Sequence, residues 1–373
     1  MKTNKSETIA YRLMTRALID VCGGNVRGAN RAVRRAMEEV HPCLPPRAFE
    51  RTVAALCGET ASTTRGGGAS NEPLIPVFCS GQRWSGASAV HDYLRQFSGF
   101  STYKKAPKFV KGGGSGVTLQ KIERALRKRE RVVQELLFGF FSKNVIGVDL
   151  EQREGYGCEV DVSRSFSAKL KAAEAIIDVD RSLSNFVASC FDQMEKKHEK
   201  DRKIPVSPLS EFLATVFKAC SSPGSRFFLL DSVIRSYDAD YLSLFPTARM
   251  IAVIRDPRDA YVTNVEKGSF SPDPEAFSRE IIERIERLNK ACALEGIGER
   301  ILVVKFEHLV LDEATRSGIL TWLGVRERDK RIMSRTFFPE QSRKNIGVHM
   351  KYREQSEIAQ IEQSLPSYCV TLT

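Results

Sequence analysis

A chain of 373 residues with 42% hydrophobic content can bury a large core, which excludes a disordered or fibrous protein. Lysine and arginine outnumber aspartate and glutamate by 57 to 46, a formal charge of +11 that points to an anionic partner without choosing among nucleotide, nucleic acid and membrane headgroup. The nine cysteines are scattered with no CxxC pair and no histidine cluster at metal spacing, so they read as reduced, packed thiols rather than a disulfide or zinc framework.

The N-terminus "MKTNKSETIAYRLMTRALIDVC" is interrupted by charge and lacks the apolar core of a signal peptide, and no segment approaches the roughly 20 apolar residues of a membrane span. The expectation is a cytoplasmic chain. Short runs at helical spacing, such as Ile9, Leu13, Ala17 and Val21, make residues 1–60 a helical extension. The polar, glycine-rich stretch that follows makes 61–72 a flexible linker.

Residues 73–373 read as an α/β domain. Four apolar runs, "LIPVF" (74–78), "RFFLL" (226–230), "RMIAVI" (249–254) and "RILVVKF" (300–306), have the character of buried strands. Amphipathic helices lie between them, carried for example by Leu119, Ile122 and Leu126 and by Ile281, Ile285 and Leu288. Strands alternating with helices predict a parallel central sheet with helices on both faces and ligands beyond the strands' C-terminal ends. "YKKAPKFVKGGGSG" (103–116) is either a basic loop that closes over an anion or a plain surface loop.

Two stretches carry the chemistry. "FCSGQRWSGASAV" (78–90) takes a strand through Gly81 and Gly86 into a helix, with hydroxyls at Ser85 and Ser88. Glycines let backbone N–H groups approach an anion, and the helix dipole favours it, but the stretch lacks the GK[ST] of a nucleotide-hydrolase loop. Alone it reads better as a tight structural turn than as a phosphate site. "FPTARMIAVIRDPRDAYVT" (245–263) ends a strand at Arg255 and re-enters a helix through Asp256, a candidate N-cap, and Pro257. Arg255 and the hydroxyl of Thr263, two turns on, can converge on one phosphate; the alternative is an ion-paired corner.

Together these stretches resemble the sulfotransferases that use adenosine 3′-phosphate 5′-phosphosulfate (PAPS). Three further segments are similar to that family: "FFLLDSVI" (227–234), "VVKFEHLVLD" with "LTWLGV" (303–325), and "FPEQSRKNIGVHMKY" (338–352). The resemblance implies a P-loop-like sulfotransferase fold that moves a sulfuryl group from PAPS to a hydroxyl acceptor, a small molecule or saccharide. It implies no metal; a nucleic-acid role rests on net charge alone and ranks last, since the sequence has no basic stripe with interleaved stacking aromatics. By the same resemblance Gly81, Ser85, Gly86, Ala87 and Ser88 cradle the 5′-phosphosulfate, Arg255 and Thr263 hold the 3′-phosphate, and Arg343, Lys344, Asn345 and Gly347 close over the nucleotide. The chain departs from the family at Trp84, where the family has a lysine or arginine. Arg83 is the nearest replacement, and Lys104, Lys105, Lys108, Arg343 and Lys344 are alternatives. Candidate general bases are Asp231, at a strand end, and His91, on the helix after the cradle. Two competing readings stay open: a P-loop-type nucleotide kinase, and a catalytically impaired sulfotransferase-like binding protein.

Overall fold

The computed structural model describes residues 74–82, 85–102, 118–128, 192–268 and 272–371, with shorter pieces between 109 and 190. The expected extension 1–60 and linker 61–72 lie outside the described residues, as do Arg83, Trp84 and the lysines of 103–108. The chain forms two compact units. Residues 105–221 supply the described part of one, and residues 71–104 with 222–373 make the other.

The first unit contains helix α2 (Leu119–Lys128), helix α3 (Val206–Cys220) and a short antiparallel pair, β3 (Val148–Asp149) with β4 (Glu159–Val160). Within the mixed-charge run "MEKKHEKDRK" (194–203) an exposed 3-10 turn, Glu199–Asp201, is followed by Arg202, which is buried. The Arg202 guanidinium donates to the carbonyls of Lys196, Lys197 and Arg127, so charge-assisted bonds compensate for its burial.

The second unit is built on a five-stranded sheet in the order β2-β5-β1-β6-β7. These are β1 (Ile75–Gly81), β2 (Phe100–Thr102), β5 (Phe227–Asp231), β6 (Arg249–Ile254) and β7 (Ile301–Lys305). Every neighbouring pair is parallel, as expected of near-continuous apolar runs buried on both faces. Helix α1 (Ala87–Leu94) follows β1. Helices α4 (Pro257–Glu266) and α5 (Pro274–Cys292) follow β6, and α6 (Phe306–Leu311) and α7 (Glu313–Leu323) follow β7. Helix α8 (Gln355–Ser364) packs on α4 and α5 through Ile358 and Ile361, against Tyr261, Phe277 and Ile281. A larger core joins the sheet to α1, α6 and α7 through Val77, Cys79, Ile251, Val253, Phe306 and Leu309. Among the described residues no helix is long and apolar enough to cross a membrane.

Strand β1 is central, and the chain leaves it toward β5 on one side and β6 on the other. That reversal opens a crevice at the C-terminal ends, where open parallel sheets bind ligands. The register brings the strand ends together. Gly81 of β1 lies beside Val253 of β6, and Ile254 of β6 lies beside Lys305 of β7.

Candidate functional site at the C-terminal edge of the sheet

The loop after β1 turns sharply. The Ser85 N–H donates to the Gln82 carbonyl at 3.2 Å, and Gly86 has a φ of +87°, a left-handed conformation that glycine adopts without cost. A Cβ on Gly86 would lie 2.1 Å from the Phe306 ring, and one on Gly81 would lie 2.0 Å from Ser85 Oγ. Both glycines are therefore demanded by close approach. Ser85 is 3% exposed, and its Oγ has no hydrogen-bond partner among the described residues. A buried hydroxyl left open in a glycine turn is the feature a phosphoryl oxygen would fill. Ala87 packs into the core, and Ser88, on the exposed side of α1, donates to Asp231 Oδ2 at 3.2 Å.

The second motif folds as an N-capped helix start. The Asp256 carboxylate accepts from the Arg258 N–H at 2.9 Å, with Pro257 in the first turn. Asp256 also pairs with the Arg258 guanidinium at 2.8 Å and accepts from the Val370 N–H at 2.7 Å. The corner is thus ion-paired, as one of the two sequence readings allowed, but through Arg258 and the C-terminal segment. Arg255 points elsewhere: its Nη1 donates to Thr263 Oγ1 at 3.1 Å, its Nη2 donates to the Asn345 carbonyl, and its guanidinium carbon sits 5.5 Å from the Phe306 ring centroid. Burial lowers the Arg255 pKa, partly offset by the nearby charges of Asp259, Glu307 and Asp256. The same Phe306 ring that fills the space against Gly86 lies under Arg255, so the two motifs share one packing partner.

Asp259, one turn into α4, ties down the distant segment. It accepts from the Gly347 N–H at 2.7 Å, the His349 N–H at 3.0 Å and His349 Nδ1 at 2.6 Å. Burial pushes the Asp259 pKa up, and these hydrogen bonds outweigh burial to hold it below the usual carboxylate range. Arg343, Lys344 and Asn345 of that segment are exposed.

The two candidate bases have different hydrogen-bond partners. Asp231, half-buried at the end of β5, accepts from Ser88 and from Ser232 Oγ at 3.0 Å, and Ser232 has a φ of +56°. His91 is buried on α1, with Nε2 bonded to Thr102 Oγ1 of β2.

A narrow cleft, partly open to solvent, runs along the strand ends. Ser85 and Gln82 line it from the β1 loop, Arg255 and Pro257 from the β6 corner, and Lys305 and Glu307 from the end of β7. The last two went unnoticed as site residues because the sequence does not reveal that β7 lies next to β6; only Lys305's place at a strand's C-terminal end hinted at it. Glu307 is 1% exposed. Its Oε1 accepts from the Asp256 N–H at 2.9 Å, and its Oε2 has no partner among the described residues. Burial raises its pKa, against the Asp256 N–H bond and with the charges of Asp256 and Asp259 adding to the rise. Backbone amides, a hydroxyl, a guanidinium and an ammonium around one cleft suit a ligand with more than one anionic group.

No family model and no curated protein matches the sequence. Among solved structures, the chain is similar to the sulfotransferase domain of the Synechococcus PCC 7002 olefin synthase, at 13% identity over 84% of this chain and 100% of that one, with a TM-score of 0.39. It is also similar to the sulfotransferase STF9 from Mycobacterium avium, at 13% identity over 99% and 97% of the two chains, with a TM-score of 0.35. A third likeness, to STF1 from Mycobacterium tuberculosis, has 13% identity over 92% and 93% and a TM-score of 0.29. At this identity the reading of the site rests on its own residues.

Proposed function

We propose that this chain transfers a sulfuryl group from PAPS to a hydroxyl on a small-molecule or saccharide acceptor. The observation that supports this reading best is the Arg255–Thr263 pair. A half-buried guanidinium donates to a hydroxyl at 3.1 Å at the end of a parallel strand, capped by the Asn345 carbonyl, and Arg255 lines the same cleft as the open Ser85 hydroxyl. Two such sites on one cleft fit a nucleotide with phosphates at both its 3′ and 5′ positions. The loop's glycines leave room for the 5′ group, and Arg255 with Thr263 takes the 3′-phosphate.

In the transfer, the bond from sulfur to the bridging oxygen breaks and its electron pair stays on the 5′-phosphate. The acceptor oxygen forms the new bond to sulfur and gives its proton to a base. Asp231 is our choice for that base, since Ser88 links it to the cradle helix whereas His91 is buried against Thr102. Asn345 and Gly347 belong to a segment held against α4 by Asp259, which suits a cover for the nucleotide.

Calorimetric titration with adenosine 3′,5′-bisphosphate, without magnesium, tests the reading. Wild type should bind, and Arg255→Ala should lose about 2–3 kcal/mol, the scale of a charge-assisted hydrogen bond. Unchanged affinity in the variant removes the 3′-phosphate assignment. Binding of ATP only with magnesium would instead support a nucleotide kinase.

A further inference from the structure

The described residues give the 5′ end of the cleft polar donors, and Arg83, the cation expected on this loop, lies outside them. From Ile75 to Leu94 the described side chains include no lysine or arginine, and the next cation, Arg95, is paired with Asp92 at 2.9 Å. A 5′-phosphate seated on this loop still needs positive charge nearby. Among the described residues two cationic side chains line the cleft. Arg255 is already engaged with Thr263 and Asn345. The other is Lys305.

Lys305 is the last residue of β7, in register beside Ile254, the residue that precedes Arg255. Because β1, β6 and β7 are consecutive in the sheet, the ends of the three strands present Ser85, Arg255 and Lys305 side by side around one cleft. No ion pair holds the Lys305 ammonium among the described residues. Two buried atoms in the same walls, Ser85 Oγ and Glu307 Oε2, also lack partners. A part-buried ammonium and two open polar atoms on one cleft form a site built for a polar group the protein itself does not supply.

We infer that Lys305 is the cation for the 5′-phosphate, facing the bridging oxygen from the β7 side while Arg255 serves the 3′-phosphate. This rests on the sulfuryl-transfer reading. As the sulfur–oxygen bond breaks and its electron pair remains on the bridging oxygen, the 5′-phosphate gains negative charge. The Lys305 ammonium balances that charge. The sulfuryl group moves to the acceptor oxygen, whose proton passes to Asp231.

Two ligands separate the ends of the site. Adenosine 3′-monophosphate can use only Arg255 and Thr263, whereas adenosine 3′,5′-bisphosphate also reaches the loop. Calorimetry on Lys305→Met should show bisphosphate affinity reduced roughly tenfold to a hundredfold, the range of one charge-assisted contact, with 3′-monophosphate affinity within about twofold of wild type. Lys305→Arg should recover most of the loss. Unchanged bisphosphate affinity in the methionine variant, or equal weakening of both ligands, overturns the assignment of Lys305. If wild type binds neither ligand, the sulfuryl-transfer reading falls and the Lys305 role with it. Thermal melts of the methionine and arginine variants confirm that each is folded before its affinity is read.

Discussion

Gly86 shows why the loop after β1 is so constrained. A side chain there would carry a left-handed backbone, costing about 1–2 kcal/mol, and would meet the Phe306 ring at 2.1 Å, an overpacking cost of about 1–3 kcal/mol. Gly86→Ala should therefore destabilise the protein by about 2–5 kcal/mol in urea unfolding. Because Phe306 also lies under Arg255, the same variant should weaken bisphosphate binding. A stability loss below about 1 kcal/mol would mean that the loop is free to move away from Phe306. Gly86 was legible in the sequence because a glycine between a strand and a helix marks a tight turn or a close approach of the backbone. Its partner Phe306, 220 residues on, was not, since nothing local ties the two. Lys305 and Glu307 were hidden for the same reason.

At the scale of elements, long apolar runs were readable and short or conditional ones were not. Strands β1, β5, β6 and β7 fall on the four runs expected to be strands, because a strand buried on both faces needs uninterrupted apolar residues. Strand β2 has three residues, Phe100–Thr102, and is held in the sheet by pairing with β5; three residues carry no periodicity. The N-cap at Asp256 with Pro257 behind it was visible because capping is local. The docking of the 343–349 segment on α4 was not, for it depends on Asp259, an acidic residue with no sequence mark to distinguish it. Three hydrogen bonds to one buried carboxylate predict a cooperative hinge between α4 and that segment. Asp259→Ala leaves the Gly347 and His349 donors without their acceptor. Amide hydrogen exchange at Gly347 and His349 should accelerate by at least about tenfold, with bisphosphate affinity falling in parallel, since losing such charged bonds costs roughly 2–4 kcal/mol. Exchange rates equal to wild type would show that the segment is held by other contacts.

At the scale of the whole molecule, two buried carboxyls on one corner titrate in opposite directions, so the pH dependence of stability has a definite shape. Asp259 has a depressed pKa in the folded state, so its stabilisation is present above the ordinary carboxylate range and is lost as pH falls through the folded value. Glu307 has a raised folded pKa, so the folded state holds its proton longer than the unfolded chain does. Stability from this group is full below the unfolded value near 4.5 and declines as pH rises to the folded value, by about 1.4 kcal/mol for each unit separating the two. The charged groups acting on Glu307 are Asp256 and Asp259 from the β6 corner and α4 and Arg255 from the end of β6, and Lys305 lines the same cleft. The two carboxylates add to the burial that raises its pKa. Glu307→Gln keeps an acceptor for the Asp256 N–H and cannot ionise. Urea unfolding from pH 4 to 8 should therefore show the variant gaining on wild type as pH rises above about 4.5, then holding a constant advantage once wild-type Glu307 is ionised. A difference between the two proteins that does not change with pH would mean that Glu307 is no more costly to ionise in the fold than in the unfolded chain. A bound bisphosphate should alter the wild-type curve in the same window, because its charge would further oppose ionisation of the carboxyl that shares its cleft.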